Sequence, residues 1–408
     1  MIDNHAIHVF ELVLGVLIIA AMFLRLWFGR MGAPSLVGFI LLGFVVRLID
    51  STVPFLTEAS LHILEFLAST GIFILLFRVG LDSNVHGLVS KLPRAAPIWI
   101  GNVVLSGLPA YLVCDWWLGL ALVPSIFVAV AMTATSIAVS TEMWREADAL
   151  DSADAETLID VAELDDLSGV ALLALALAVV PALHFGDGRP VLAIAGDVTL
   201  VFVVKVALFG TLCALLARYG ERHIVAALRA TGEPSSALIL IGVGLIIAAV
   251  ASLLGFSIAI GAFFAGLVFS RDPEAVRLET GFLQLRDFFV PFFFIAIGFR
   301  IDPASLGSAM GIGGALLVVA VLGKVIGAGV PALLTTGGTG ALLIGVSMVP
   351  RAEIAMVIGQ QARELGDWAM PAEVYSGIAL VSLATCLVTP FAVRALLRQR
   401  AREVRLEE

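Results

Sequence analysis

Asp165 and Asp166 stand side by side in Asp160-Val-Ala-Glu163-Leu-Asp165-Asp166-Leu-Ser168-Gly169, which a long apolar run follows. Neighbouring helix positions point about 100° apart, so both carboxylates can border one cavity without facing each other. Carboxylate oxygens suit a hard monovalent ion, and in a desolvated cavity a proton competes with that ion for them. One base matches them: Lys324, in Val321-Leu-Gly323-Lys324-Val-Ile-Gly327, has apolar residues on both sides and is too central to snorkel easily. A charge at the centre of a lipid-embedded helix costs at least ~2.5–3.5 kcal/mol, so each needs a partner, a wet cavity or a function. Lys324 is therefore expected to meet a carboxylate, Asp165 or Asp166, and spacing leaves both open. Glu163 sits near the end of its apolar segment, where water reaches it; Glu11 and Glu65 lie apart and are expected to be structural, cavity-facing or interface residues.

Two further clusters interrupt apolar stretches. Met132-Thr133-Ala134-Thr135-Ser136 concentrates hydroxyls, and Met348-Val349-Pro350-Arg351-Ala352-Glu353 places two charges beside a proline. Proline removes a backbone donor and clashes with the preceding turn, so a helix is expected to break at Pro350. Irregular backbone at membrane depth persists only where protein or a water cavity satisfies it. Thr133, Thr135 and Ser136 are expected to satisfy freed backbone groups or line an ion path, although such residues also mediate ordinary helix packing. Arg351, Glu353 and Lys324 are expected to supply countercharge to the facing helix ends.

The elements that must position these residues are membrane-spanning helices. Of the 408 residues 60% are hydrophobic and only 14% charged, and mean hydropathy is +1.05. Soluble domains carry roughly 45–50% apolar and about 25% charged residues, so the lipid bilayer is the natural solvent. With about 20 residues needed per crossing, about thirteen spans are expected. Their limits are 7–28, 34–50, 59–79, 95–117, 119–143, 156–184, 191–218, 235–254, 256–270, 285–301, 310–335, 339–362 and 373–397, the ninth tilted or partly broken. The first run is long enough to be a helix of the mature protein rather than a cleaved signal. The fourth to sixth spans and the eleventh to thirteenth lie seven apart, hence in opposite directions, and the middle member of each trio is interrupted. An inverted repeat with two crossed, broken helices follows, and interrupted helices in corresponding halves point to a transporter's ion site.

Charge sets the orientation. Arg394, Arg398, Arg400, Arg402 and Arg405 in the tail belong in the cytoplasm under the positive-inside rule, which places the N-terminus outside in a cell membrane. Arg25, Arg30, Lys91, Arg94, Arg218, Arg222, Arg229, Arg271, Arg277 and Arg286 then fall inside or near it, against Arg47, Arg189, Arg300 and Arg363 opposite. The acidic stretch from Glu142 to Glu156 also falls inside, with only Arg145 as a base. The net charge of −9 and the lack of a basic patch argue against nucleic acid. Cys114, Cys213 and Cys386 are isolated, so neither a disulfide framework nor a zinc site is expected, and no cofactor.

In order along the chain, the motifs resemble the monovalent cation:proton antiporters of the NapA-type and Kef-type branch. They are Gly29-Arg-Met-Gly-Ala-Pro34-Ser-Leu-Val-Gly38, Phe73-Ile-Leu-Leu-Phe77-Arg-Val-Gly80-Leu-Asp82, Thr133-Ala-Thr135-Ser136, Glu163-Leu-Asp165-Asp166, Phe292-Phe-Phe-Ile-Ala-Ile-Gly298-Phe-Arg-Ile-Asp302, Gly323-Lys324-Val-Ile-Gly327 and Gly345-Val-Ser-Met-Val-Pro350-Arg351-Ala-Glu353. The resemblance implies a homodimer in which a core, mainly residues 95–184 and 310–397, moves against a dimerisation domain interleaved with it in sequence. It implies that Asp166 is the main carboxylate for ion and proton, with Asp165 beside it. It also implies that Lys324 pairs with an aspartate when the cation is absent. Two adjacent aspartates with a core lysine resemble the electrogenic members. The chain departs from many relatives at Glu163, where they have a small residue, and at Ala352, where they have glycine. It is expected to lack the soluble nucleotide-binding domain usual in Kef-type proteins.

The expected function is exchange of a monovalent cation, Na+ or Li+ and then K+, against protons, with both competing for Asp165 and Asp166. A sodium-coupled symporter of organic solutes is the alternative, and it would need a polar substrate cavity for which no cluster stands out. A passive channel would not call for Lys324 opposite paired acids. An enzyme is not expected, since intramembrane aspartyl proteases place their two aspartates on separate helices.

Overall fold

The computed structural model describes residues 4–82, 85–185, 191–220, 235–270 and 279–407. Of the basic residues used for orientation, Arg189, Arg222, Arg229, Arg271 and Arg277 lie outside these, as do the side chains of Glu142, Arg402 and Arg405.

Among the described residues fourteen α-helices succeed one another, with no strand. They are α1 (Asn4–Arg30), α2 (Ser35–Thr52), α3 (Glu58–Asp82), α4 (Val85–Leu112), α5 (Leu122–Thr133), α6 (Ile137–Glu146) and α7 (Ala153–His184). Then follow α8 (Val191–Leu215), α9 (Ser235–Leu253), α10 (Ile258–Phe269), α11 (Glu279–Arg300), α12 (Leu306–Ser347), α13 (Glu353–Leu365) and α14 (Ala372–Glu407). Nine stretches of described helix are long and apolar enough to cross a bilayer, and shorter apolar helices accompany them. A helix satisfies its backbone internally, which is why apolar runs of this length fold so in lipid.

Each expected span has a helical counterpart, with two differences of detail. The ninth is short rather than broken, since α10 has only 12 residues. The eleventh and the start of the twelfth, labelled together as α12, are two helical stretches joined directly at Gly337, whose φ 73 and ψ −179 are not helical. Only glycine enters that left-handed region without strain, so the chain reverses there without a polar loop.

Two compact units divide the chain. The first comprises Met1–Ile18, Phe55–Val85 and Ala174–Ala296. In it α3 and α10 meet backbone to backbone: a Cβ on Gly80 would collide with the Phe263 carbonyl, and one on Gly266 with that of Phe77. Phe73 stacks on Phe77 at 5.8 Å, and Phe77 reaches Phe269 and Phe282.

The second unit comprises Ile19–Pro54, His86–Leu173 and Ile297–Glu408, and it holds both interruptions and every candidate residue between Thr133 and Glu353. Here α4 lies against α12. A methyl group on Gly327 would sit 2.6 Å from the Gly101 carbonyl oxygen, and one on Gly323 2.5 Å from that of Leu105. Around this seam Trp144, Leu158, Val161, Ala328, Leu343, Ile344 and Val393 form a buried core.

In the same unit the acidic stretch meets two bases from α14. Arg394 Nε donates to Glu146 at 3.0 Å, and Arg400 Nε to Asp154 at 3.2 Å. Arg400 also reaches the Thr336 carbonyl, one residue before the kink. Two carboxylates of the acidic connection, Glu146 and Asp154, are thus met by the tail helix.

Candidate functional site

The two interruptions lie against each other. α5 stops at Thr133, Ala134 and Ser136 are extended, and α6 resumes at Ile137. α12 stops at Ser347 and α13 starts at Glu353, after Ala352 at φ −140 and ψ −96. The backbone amide of Ser136 donates to the Pro350 carbonyl at 2.8 Å, so each break satisfies part of the other.

Freed carbonyls at the end of α5 collect two cations. Arg351, 1% exposed, donates from Nη2 to the Met132 carbonyl at 2.7 Å and from Nη1 to the carbonyls of Val349 and Ala320. Lys324 Nζ donates to the Thr133 carbonyl. A helix C-terminus carries partial negative charge, which these two positive groups offset. α14 locks the backbone of Arg351: Ser382 Oγ and Cys386 Sγ donate to its carbonyl, and its amide donates to Thr385 Oγ1. Across the gap Glu353, in the first turn of α13, accepts from Ser136 Oγ at 2.5 Å. A carboxylate there suits the positive end of its helix.

α7 brings the aspartates to the same place. Asp165 is buried. Its Oδ2 accepts from Lys324 Nζ at 3.3 Å and its Oδ1 from Asn102 Nδ2 at 2.8 Å. Of the two partners spacing left open for Lys324, the structure selects Asp165. Asp166 is half-buried and makes no hydrogen bond or ion pair with another described residue. Glu163 is also half-buried, three residues earlier on the same helix.

The three hydroxyls differ in use. Thr133 Oγ1 donates back to the Val130 carbonyl at 2.8 Å, and Ser136 serves Glu353. Thr135 Oγ1 is buried without a hydrogen-bond partner among the described residues. An orphaned buried hydroxyl is costly, and such atoms call for an account. The open carboxylate of Asp166 and the idle oxygen of Thr135 are both hard oxygen donors of the kind a monovalent cation takes.

Sequence reasoning missed the second support of Asp165. Asn102 on α4 is wholly buried, and Trp99 Nε1 on the same helix donates to Ser168 Oγ, which donates to the Asp165 carbonyl at 3.0 Å. The available signal was a carboxamide beside Gly101 in an apolar run. One turn above Glu163, Lys91 Nζ pairs with Asp160 at 2.6 Å.

Comparison with known proteins follows the same line. Residues 15–399 match the family described as sodium/hydrogen exchanger, transmembrane. Over 360 residues the chain is 28% identical to the high-affinity Na(+)/H(+) antiporter NhaS3 of Synechocystis sp., covering 85% of this chain and 74% of that protein. It is 26% identical over 367 residues to the Na(+)/H(+)-K(+) antiporter GerN of Bacillus cereus, covering 88% and 89%. Among solved structures, the sodium proton antiporter MjNhaP1 from Methanocaldococcus jannaschii aligns with a TM-score of 0.71 over 96% of this chain and 98% of that one. At 14% identity this is a likeness of fold.

Proposed function

The chain belongs to the sodium/hydrogen exchanger family of monovalent cation:proton antiporters, and on that premise we propose that it exchanges Na+ or Li+, and less readily K+, for protons at Asp165 and Asp166. One observation carries the reading: a half-buried, unpaired Asp166 stands beside an Asp165 whose charge is already met by Lys324. The open carboxylate receives the partly hydrated cation. The cation's charge then competes with the ammonium of Lys324 for Asp165, since two positive groups cannot share one carboxylate at little cost. Protons arriving from the other side restore the resting pair and release the ion. A ligand drives such a cycle only by binding its two states unequally.

Thr135 Oγ1 is assigned to the ion path, with Ser136 and Thr133 shaping it. Arg351 and Glu353 hold the broken helix ends. Residues 95–184 and 310–397 form the ion-carrying core of a homodimer in the cell membrane. The N-terminus lies outside and the C-terminus in the cytoplasm, as the distribution of basic residues supports.

The test is proton movement in sealed liposomes holding the purified protein. Na+, Li+, K+ and Rb+ are added in turn to an imposed proton gradient, with Asp166→Asn alongside. Dissipation by Na+ or Li+ that the substitution abolishes is the expected result. No response to any cation between about pH 6 and 9 would sink the antiport reading.

A further inference from the structure

Asp165 is held by two donors of different kinds. Lys324 is a charged group on a flexible stem, and an incoming cation repels it. Asn102 is neutral and short, and it has no proton to gain or lose. Its Nδ2 donates to a carboxylate and equally to the carbonyl oxygen of the protonated acid. The two act on different oxygens, Asn102 on Oδ1 and Lys324 on Oδ2.

The mounting of Asn102 is stiff. It follows Gly101, whose carbonyl faces Gly327 at the α4–α12 seam, and a Cβ on Gly327 would lie 3.1 Å from the Asn102 Cα. One turn away, Trp99 ties α4 to Ser168 and through it to the Asp165 backbone. The carboxamide cannot drift from the aspartate without opening this seam. Its own Oδ1 is buried and has no donor among the described residues, so Asn102 is not there to complete a satisfied polar network.

We propose that Asn102 is the positioning residue of the exchange site, holding Asp165 Oδ1 through the whole cycle so that only Oδ2 changes partner, from Lys324 to cation to proton. The proposal rests on the antiport reading above. Without the carboxamide, Asp165 is free to turn both oxygens to Lys324. The resting pair then tightens, and a cation displaces it less readily.

The experiment titrates Na+ against an imposed proton gradient in liposomes carrying the wild-type protein, Asn102→Leu, Asn102→Ser or Asp166→Asn. Leucine keeps the branched outline, at a larger volume, and removes the donor, whereas serine is smaller and keeps one. The expected result for Asn102→Leu is a KM for the cation raised roughly tenfold, as for loss of a hydrogen bond to a charged group, with the maximal rate within about twofold. Asn102→Ser is expected within about threefold of the wild-type KM, because the donor and not the volume is what counts. An Asn102→Leu protein with unchanged KM overturns the proposal, and so does a serine variant as impaired as the leucine one. If Asn102→Leu does not fold, Asn102→Ala takes its place, and a KM equal to that of Asn102→Ser overturns the proposal. Exchange that survives Asp166→Asn removes the antiport site itself and this inference with it, and is told apart because the defect then lies at Asp166.

Discussion

Lys324 and Asp165 are sealed from solvent, with side-chain exposures of 0% on both sides of the pair. A buried ion pair contributes modestly as a whole, but removing one partner leaves the other charged and unmatched at a cost of ~3–5 kcal/mol. Lys324→Ala is therefore expected to lower stability by about that amount at neutral pH. The double substitution Asp165→Asn with Lys324→Met is expected to be more stable than Lys324→Ala alone. Thermal unfolding in detergent measures both, and a double variant no better than the single one would refute the pairing. At this scale the sequence was legible where a formal charge stood in an apolar run: Asp165, Asp166 and Lys324 declare themselves. Asn102 did not, because an uncharged carboxamide is cheap enough in a membrane helix to pass as packing. Nor did the choice of partner for Lys324. Two aspartates about 100° apart on one helix are told apart only by how α7 is rotated against α12, which packing decides.

At the scale of elements, the site depends on how closely α4 and α12 approach. Gly327 faces a backbone carbonyl, which cannot move aside as a flexible side chain would. Gly327→Ala is expected to destabilise by ~1–3 kcal/mol through overpacking, and to impair exchange because Asn102 and Lys324 shift together. Gly314→Ala, on the same helix with nothing within 4 Å of the new methyl group, is expected to be neutral or to stabilise by up to ~1 kcal/mol. Paired melting curves check both, and equal shifts would show that the seam is not tight. The break at Pro350 was legible because proline cannot continue the hydrogen-bond ladder, and that at Thr133–Ser136 because hydroxyls clustered there. The turn at Gly337 was legible too, since one span was expected to end at 335 and the next to begin at 339, on either side of the non-helical Gly337. The ninth span was already expected to be short, over 256–270; what hydropathy did not show is that its helix runs unbroken over Ile258–Phe269.

Over the whole molecule, charge decides what composition alone cannot. Two of the tail arginines also pair with the acidic connection, Arg394 with Glu146 and Arg400 with Asp154, in partly exposed bridges. Bridges of this kind contribute about 0–1 kcal/mol each and weaken with salt. Arg394→Ala with Arg400→Ala is expected to lower stability by less than ~2 kcal/mol at low salt and by less still in 0.5 M salt. Melting curves at the two ionic strengths decide it; a larger loss that salt leaves untouched would mean these arginines act through packing. The separation along the chain of the groups around Asp165 also bears on how the protein is made. The ribosome completes Asn102 63 residues before Asp165, and Lys324 159 residues after it. At ~5–20 residues per second, Asp165 waits roughly 8–30 s for its ammonium. Throughout that interval the newly inserted α7 carries its carboxylates with α4 already made and α12 still untranslated. The nascent chain thus meets Asn102 first, and the carboxamide is available as an early partner in biogenesis before any ion is carried.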